Sequence, residues 1–156
     1  MRIKYLLITA LILISISSSK NYSQNKEFGL GVMIGEPTGL SGKYWLDETH
    51  AVDFGLAYSF VHPEKTFSLH ADYLFHNDSF IHSTERLPVY YGIGARVHLG
   101  KNDGSTIGAR GVAGIVWMPG SVPIDIFIEL APVFNLFPET SLHLDFAIGG
   151  RYYFGK

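Results

Sequence analysis

The chain has no cysteine and unusually little charge. The absence of cysteine among its 156 residues excludes a disulfide framework, a thiolate metal site and a lipidated N-terminal cysteine. Charged residues make up 17% of the chain, against roughly 25% in a typical soluble domain. There is therefore little charge to cover a water-facing surface. A net charge of −2 gives no basis for a nucleic-acid partner.

Only one segment is apolar enough to enter a membrane as a helix, and it lies at the N-terminus. Arg2 and Lys4 precede the apolar run Tyr5–Ile16, which has the length of the central region of a secretory signal and is short for a spanning helix. The serines after it predict a signal peptide over residues 1–19, with a cut as late as 24 as the alternative, and a polar leader over 20–27. The exported chain is then either soluble or a β-barrel, because only helices and closed barrels cross a bilayer.

The C-terminal segment Ser141–Phe154 alternates strictly between two environments. Apolar and aromatic side chains fill most even positions from Leu142 to Phe154, whereas the odd positions include His143, Asp145 and Arg151. A period of two indicates a β-strand. The segment is longer than the ~5–6 residues of a usual strand and covers the ~9–11 residues that a tilted strand needs to cross a bilayer.

The same alternation recurs along the rest of the chain, between short polar connections. We predict eight strands: Phe28–Gly35, Leu40–Leu46, Ala51–Val61, Thr66–Phe75, Leu87–Leu99, Ile107–Met118, Ile124–Phe134 and Ser141–Phe154. The facing of Ile107–Met118 stays open, because that strand is rich in glycine and alanine. Regularly spaced strands of this kind predict an all-β, eight-stranded antiparallel up-and-down barrel, a meander, over residues 28–156.

Charge on the face opposite the apolar one is sparse and nearly balanced in sign. Small residues and a few charges suit a narrow barrel interior better than a solvated surface, and buried charges need partners. The predicted interior network, which should keep the lumen from conducting freely, consists of Lys43, Asp53, Asp72, Arg96, Arg110, Asp125, Glu129, Asp145 and Arg151. Within it, we expect Asp72 or Glu129 to pair with an arginine.

Aromatic residues provide a second indication. If the first strand starts on the inner side of a membrane and every strand crosses, seven outward-facing aromatic residues fall near one rim. They are Phe28, Tyr44, Tyr73, Phe75, Trp117, Tyr152 and Phe154. Aromatic girdles at the bilayer interface are typical of membrane barrels, so this pattern predicts a transmembrane barrel. One feature argues against a transmembrane barrel: the longest loop, His76–Arg86, falls on the inner side, where turns are usually short.

The signal, the alternating strands and the ending Arg151–Phe154 resemble small bacterial outer-membrane barrels such as the transmembrane domain of outer-membrane protein A and outer-membrane protein X. A closer likeness is to an uncharacterised family of small bacterial barrel proteins, through the runs Phe28–Trp45, Leu69–His76 and Asp125–Pro132. The resemblance implies an outer-membrane location. It also implies recognition of the terminal aromatic residue by the barrel-assembly machinery, although Gly155 and Lys156 follow it here. It implies no particular activity.

No motif in the chain predicts catalysis or a cofactor. His70, His98 and His143 share the inward face, where hydrogen-bonded histidines are the expected outcome and a metal site the lesser alternative. Ser141, His143 and Asp145 lie two residues apart on one strand face, too far for a relay within about 3 Å.

We therefore predict a monomeric, non-enzymatic membrane barrel without cofactor or metal, with a structural or surface-interaction role and with membrane lipids as its partners. One alternative is an exported soluble, lipocalin-like barrel that binds a small apolar ligand. The second is a small channel or a lipid-modifying barrel enzyme.

Overall fold

A closed antiparallel barrel of eight strands forms the structure. The computed structural model describes residues 28–59, 66–100 and 104–155. The predicted signal peptide, the leader and the turn His62–Lys65 lie outside the described residues. Each strand pairs with the next one in sequence, and the first pairs with the last. The predicted eight-stranded up-and-down barrel is thereby confirmed. In the described part of the chain, no helix has the length and hydropathy needed to span a membrane.

The strand bounds follow the predicted alternation closely. The strands are β1 Phe28–Glu36, β2 Thr38–Trp45, β3 His50–Ser59, β4 Thr66–Asn77, β5 Val89–Leu99, β6 Ser105–Trp117, β7 Ile124–Phe137 and β8 Ser141–Phe154. Strand β8, whose alternation is the strictest, has the predicted bounds. The alternation of β6, which the sequence left open, places Arg110, Val112 and Val116 inside the barrel and Ile115 and Trp117 outside.

Several strand ends differ from the prediction for local reasons. The predicted turn Glu36–Gly39 is tighter than expected, because the Thr38 hydroxyl accepts a hydrogen bond from the Gly35 N–H (3.1 Å) and donates one to the Gly35 carbonyl (2.8 Å). Strands β4 and β7 run past their predicted ends, because cross-strand pairing continues to Asn77 and Phe137.

The wall of the barrel is uneven in height. Strands β1 and β2 have 9 and 8 residues, whereas β7 and β8 have 14 each. Strand β1 pairs with β8 only up to the partners Glu36 and Phe146. The hairpin of β7 and β8 therefore projects beyond its neighbour β1 at one end of the barrel.

Polarity in this barrel is opposite to that of a water-soluble protein. Lys43 and Asp125 are fully buried in the lumen, and the large apolar side chains of Ile34, Ile93 and Leu144 are 65%, 73% and 63% exposed on the outer wall. Because side chains alternate across a strand, the residues that face away from the lumen form an apolar row on the outer wall. The soluble lipocalin-like alternative required the large apolar residues to face inwards, and they face outwards.

Candidate functional site

The lumen holds all nine residues of the predicted charge network. They come from seven of the eight strands, and none is more than 9% exposed. The alternation of each strand directs them inwards, and the closed barrel brings together residues that are far apart in sequence. They form two arginine-centred clusters, with Lys43 placed separately.

Arg151 is the centre of the first cluster. Its Nη1 donates to Asp53 Oδ2 at 2.8 Å and its Nε donates to Asp125 Oδ1 at 3.1 Å. The guanidinium also lies 4.1 Å from the ring centroid of Phe127. The Tyr153 hydroxyl donates to the second oxygen of Asp125 at 2.5 Å. One buried cation thus contacts two buried carboxylates, and such contacts matter because unpaired buried charges are costly.

Arg110 is the centre of the second cluster. It forms an ion pair with Asp72, and its Nη2 donates to Glu129 Oε1 at 2.7 Å. The Tyr90 hydroxyl donates to the other oxygen of Glu129 at 2.9 Å. Both carboxylates for which an arginine partner was expected therefore contact the same arginine. Asp145 lies 3.9 Å from Arg110 Nε, which joins this cluster to a neighbouring ion pair.

That neighbouring pair lies towards the opposite end of the lumen from Lys43. Arg96 Nη1 donates to both oxygens of Asp145, at 2.9 and 2.8 Å. Asp145 is therefore committed to arginines. Ser141, His143 and Asp145 do not form a catalytic relay, because Asp145 is buried and Ser141 and His143 are exposed.

Lys43 lies among aromatic rings. Its Nζ lies 2.6 Å from His76 Nε2 and 4.6 and 5.1 Å from the ring centroids of Trp45 and Tyr90. Within the described part of the chain it forms no ion pair with a carboxylate. Sequence reasoning placed His76 in a loop and so missed this contact. Continued alternation from Asp72 through Leu74 to position 76 is the signal that would have found it.

The longest connection, residues 78–88, closes the barrel at the Lys43 end. Arg86 pairs with Asp78 at 3.1 Å and donates to the Glu48 carbonyl at 2.9 Å, while its own carbonyl accepts from the Met118 N–H at 2.8 Å. Because Glu48 and Met118 lie on opposite sides of the eight-stranded wall, this loop spans the mouth. Spanning the mouth accounts for the length of this loop, which is unusual for a turn on the inner side of a membrane barrel.

The seven predicted rim aromatics lie at the Lys43 end of the outer wall. Phe28 is half-buried, and the other six are at least 38% exposed. Phe28 pairs directly with both Tyr44 and Phe154, which places these rings at one level. The sequence missed two members of this belt. Tyr91 stacks on Phe75 at 5.8 Å, and the His50 ring lies 5.1 Å from that of Phe75.

The turn after β2 has its own polar cluster outside the lumen. Asp47 Oδ1 accepts from the backbone N–H groups of Thr49 and His50 at 2.7 and 2.8 Å, and the His50 ring lies 2.8 Å from Asp47 Oδ2. These hydrogen bonds, chiefly the one from Thr49, hold the pKa of the Asp47 carboxyl below its ordinary value.

Comparisons with known proteins agree with this architecture. No family model matches the sequence, and no curated protein matches it. Solved structures do. The N-terminal β-barrel domain of OprF from Pseudomonas aeruginosa is 12% identical with a TM-score of 0.55, and the match covers 81% of this chain and 94% of that one. Neisserial surface protein A is also 12% identical, with a TM-score of 0.53 and coverage of 81% and 93%.

The chain has the fold of the small outer-membrane barrels. The resemblance that the sequence suggested is confirmed at this level. At 12% identity the likeness carries the fold and no activity. The closer likeness to one uncharacterised family stays a prediction.

Proposed function

We propose that this protein is a non-enzymatic barrel of the bacterial outer membrane, closed to ion flow, with a structural or surface-interaction role. The observation that carries the proposal is the polarity of the wall: apolar side chains outside, paired charges inside. A monomer in water rarely exposes more than a few hundred Å² of continuous apolar surface, whereas a bilayer requires such a surface on all sides.

The aromatic belt supports the same proposal. The exposed rings of Tyr44, Tyr73, Trp117 and Tyr152 lie towards the Lys43 end of the outer wall. Amphipathic rings of this kind prefer the boundary between lipid and water. Membrane lipids are then the first partners of the chain, and the barrel-assembly machinery is the partner implied by its terminal aromatic residue.

Closure of the lumen is supported by its contents. An eight-stranded barrel has room only for its own side chains. Here Arg110 and Arg151 reach across it to carboxylates on other strands. The loop containing Arg86 lies over one mouth. A monomeric barrel with this interior offers no open path for ions, which disfavours the channel alternative.

Heat modifiability on a gel tests the membrane assignment. Purified chain lacking residues 1–19 is folded in buffer alone, in detergent micelles or with lipid vesicles, and is run boiled and unboiled. We expect a mobility difference only where detergent or lipid was present. A folded monomer in plain buffer would contradict the proposal.

A planar bilayer tests closure separately. We expect no discrete conductance steps after insertion of the folded protein. Regular steps in wild type would show a channel and leave the membrane assignment intact. The assay therefore distinguishes the two parts of the proposal.

A further inference from the structure

The charge balance of the lumen leaves two negative charges without an arginine. Five buried carboxylates, those of Asp53, Asp72, Asp125, Glu129 and Asp145, share the three guanidinium groups of Arg96, Arg110 and Arg151. Lys43 contacts His76 instead. Because buried charge must be compensated or neutralised, the imbalance calls for further positive charge near the carboxylates.

The imbalance is greatest where β3 meets β4. Asp53 and Asp72 are direct cross-strand partners, and like charges placed opposite each other destabilise a sheet. His70 lies on the same inward face, with its Nε2 3.8 Å from Asp53 Oδ1 and 4.0 Å from Asp72 Oδ2. One potential ligand atom from each of the three residues lies within 4.8 Å of the others.

Hydrogen bonding does not account for this arrangement. The distances from His70 Nε2 are too long for hydrogen bonds. They exceed by less than 1 Å the separation of about 3.4 Å between two ligand atoms on one tetrahedral Zn²⁺, so a small inward shift of the side chains would bring them to an ion. Asp72 is 2% exposed, yet its Oδ1 finds no hydrogen-bond partner among the described residues. Such orphaned buried atoms are rare and need an explanation.

The surroundings fit a site of fixed geometry. Arg151 holds Asp53 through Oδ2 and leaves Asp53 Oδ1 facing His70. Arg110 holds Asp72 through Oδ2 and leaves Asp72 Oδ1 without a hydrogen-bond partner, so a guanidinium orients each carboxylate. Gly55 and Gly94 provide the space. A Cβ at Gly55 would lie against the His70 ring, and one at Gly94 against Asp72 Oδ1.

We propose that Asp53, His70 and Asp72 bind one divalent transition-metal ion, of the Zn²⁺ class, inside the barrel. One imidazole nitrogen and two carboxylate oxygens are ligand types that Zn²⁺ accepts. A divalent cation would offset the excess of five buried carboxylates over three buried arginines. The ion enters while the barrel forms, since the loop over the mouth and the paired arginines obstruct the finished lumen.

Zinc retention after folding tests the proposal. The full mature chain is folded into detergent micelles with ZnCl2 present, freed of unbound metal, and analysed for bound zinc by elemental mass spectrometry. We expect one Zn²⁺ per chain in wild type, loss of that ion in His70→Gln, and retention in His98→Gln, a matched change of another inward histidine. If His70→Gln fails to fold, Asp53→Asn replaces it with the same expectation.

Two further readouts make the result decisive. Wild type folded with zinc at about 100 times its dissociation constant should have a thermal midpoint about 5–10 °C above that of wild type folded without zinc, and His70→Gln should show no such difference. Co²⁺ in place of zinc should give visible absorption bands in wild type alone. Wild type that retains no zinc, or equal retention by His70→Gln, would overturn the site.

Discussion

Removal of the Arg151 guanidinium probes how strongly the lumen depends on its internal pairs. Arg151 is 2% exposed and is held between Asp53 and Asp125 at 2.8 and 3.1 Å. Arg151→Met keeps much of the side-chain volume and removes the charge. Two buried carboxylates then lose their cation. We expect the free energy of unfolding to fall by about 3–5 kcal/mol, the usual cost of breaking a buried pair from one side.

Arg86→Met is the matched control. Arg86 also forms an ion pair, with Asp78 at 3.1 Å, but the two side chains are 40% and 48% exposed. Exposed ion pairs contribute about 0–1 kcal/mol. The same substitution should therefore cost about 3 kcal/mol less on the outside than in the lumen.

Equilibrium unfolding in urea, with the protein in lipid vesicles, measures both variants. The chain has two tryptophans, Trp45 and Trp117, one buried in the lumen and one exposed on the outer wall. Their fluorescence reports on both environments. A loss of under about 1 kcal/mol for Arg151→Met, equal to that of Arg86→Met, would refute the reasoning.

A compensated variant separates charge from packing. Arg151→Met combined with Asp53→Asn and Asp125→Asn removes the whole group of charges together. Replacing a complete buried pair is often neutral, so most of the lost stability should return. If the triple variant is as unstable as Arg151→Met, shape and not charge explains the loss.

Three further predictions address other parts of the barrel. Glu129→Gln should cost about 1.5–3 kcal/mol in urea unfolding because a charged hydrogen bond is lost, whereas exposed Glu139→Gln should cost nothing measurable. Ile128→Lys on the outer wall should cost about 2–4 kcal/mol in vesicles, whereas Val122→Lys in a turn should not; equal values would contradict a lipid-facing wall. The lowered pKa of Asp47 stabilises the fold above the ordinary carboxyl value of 3.8 and ceases to do so as pH falls through the folded value. The destabilisation by Asp47→Asn should therefore shrink as pH falls well below 3.8. A difference in urea midpoint between wild type and Asp47→Asn that stays constant with pH would refute this prediction.

Alternation was sufficient to predict the strands and, outside β6, which side of the wall most residues face. The strict period of Ser141–Phe154 fixed the bounds of β8, and the sparse charges of the opposite face placed Arg96 and Arg151 inside. Where alternation was blurred by small residues, as in β6, the facing could not be read. Strand ends were missed for a different reason, since cross-strand pairing, and not propensity, decides where β4 and β7 stop.

The partners within the lumen could not be predicted, because they depend on how the barrel closes. Arg151 on β8 reaches Asp53 on β3, strands that are not neighbours in the wall. Such contacts follow from strand tilt and stagger, which are properties of the whole barrel. His70 shows the same limit. Alternation predicted that His70 faces inwards. Its closeness to Asp53 and Asp72 could not be predicted, because it depends on the register of β3 and β4.

The middle of the lumen and its Lys43 end are closed by different chemistry, and the two differ in how much they stabilise the fold. In the middle, arginine–carboxylate pairs cross the interior and fill it. At the Lys43 end, aromatic rings and the loop containing Arg86 cover the opening, and that arginine is paired at the surface. Because exposed pairs contribute little to stability, the loop closes the mouth without contributing much to folding. The buried pairs contribute to both, so a change there that opened the lumen would also unfold the barrel.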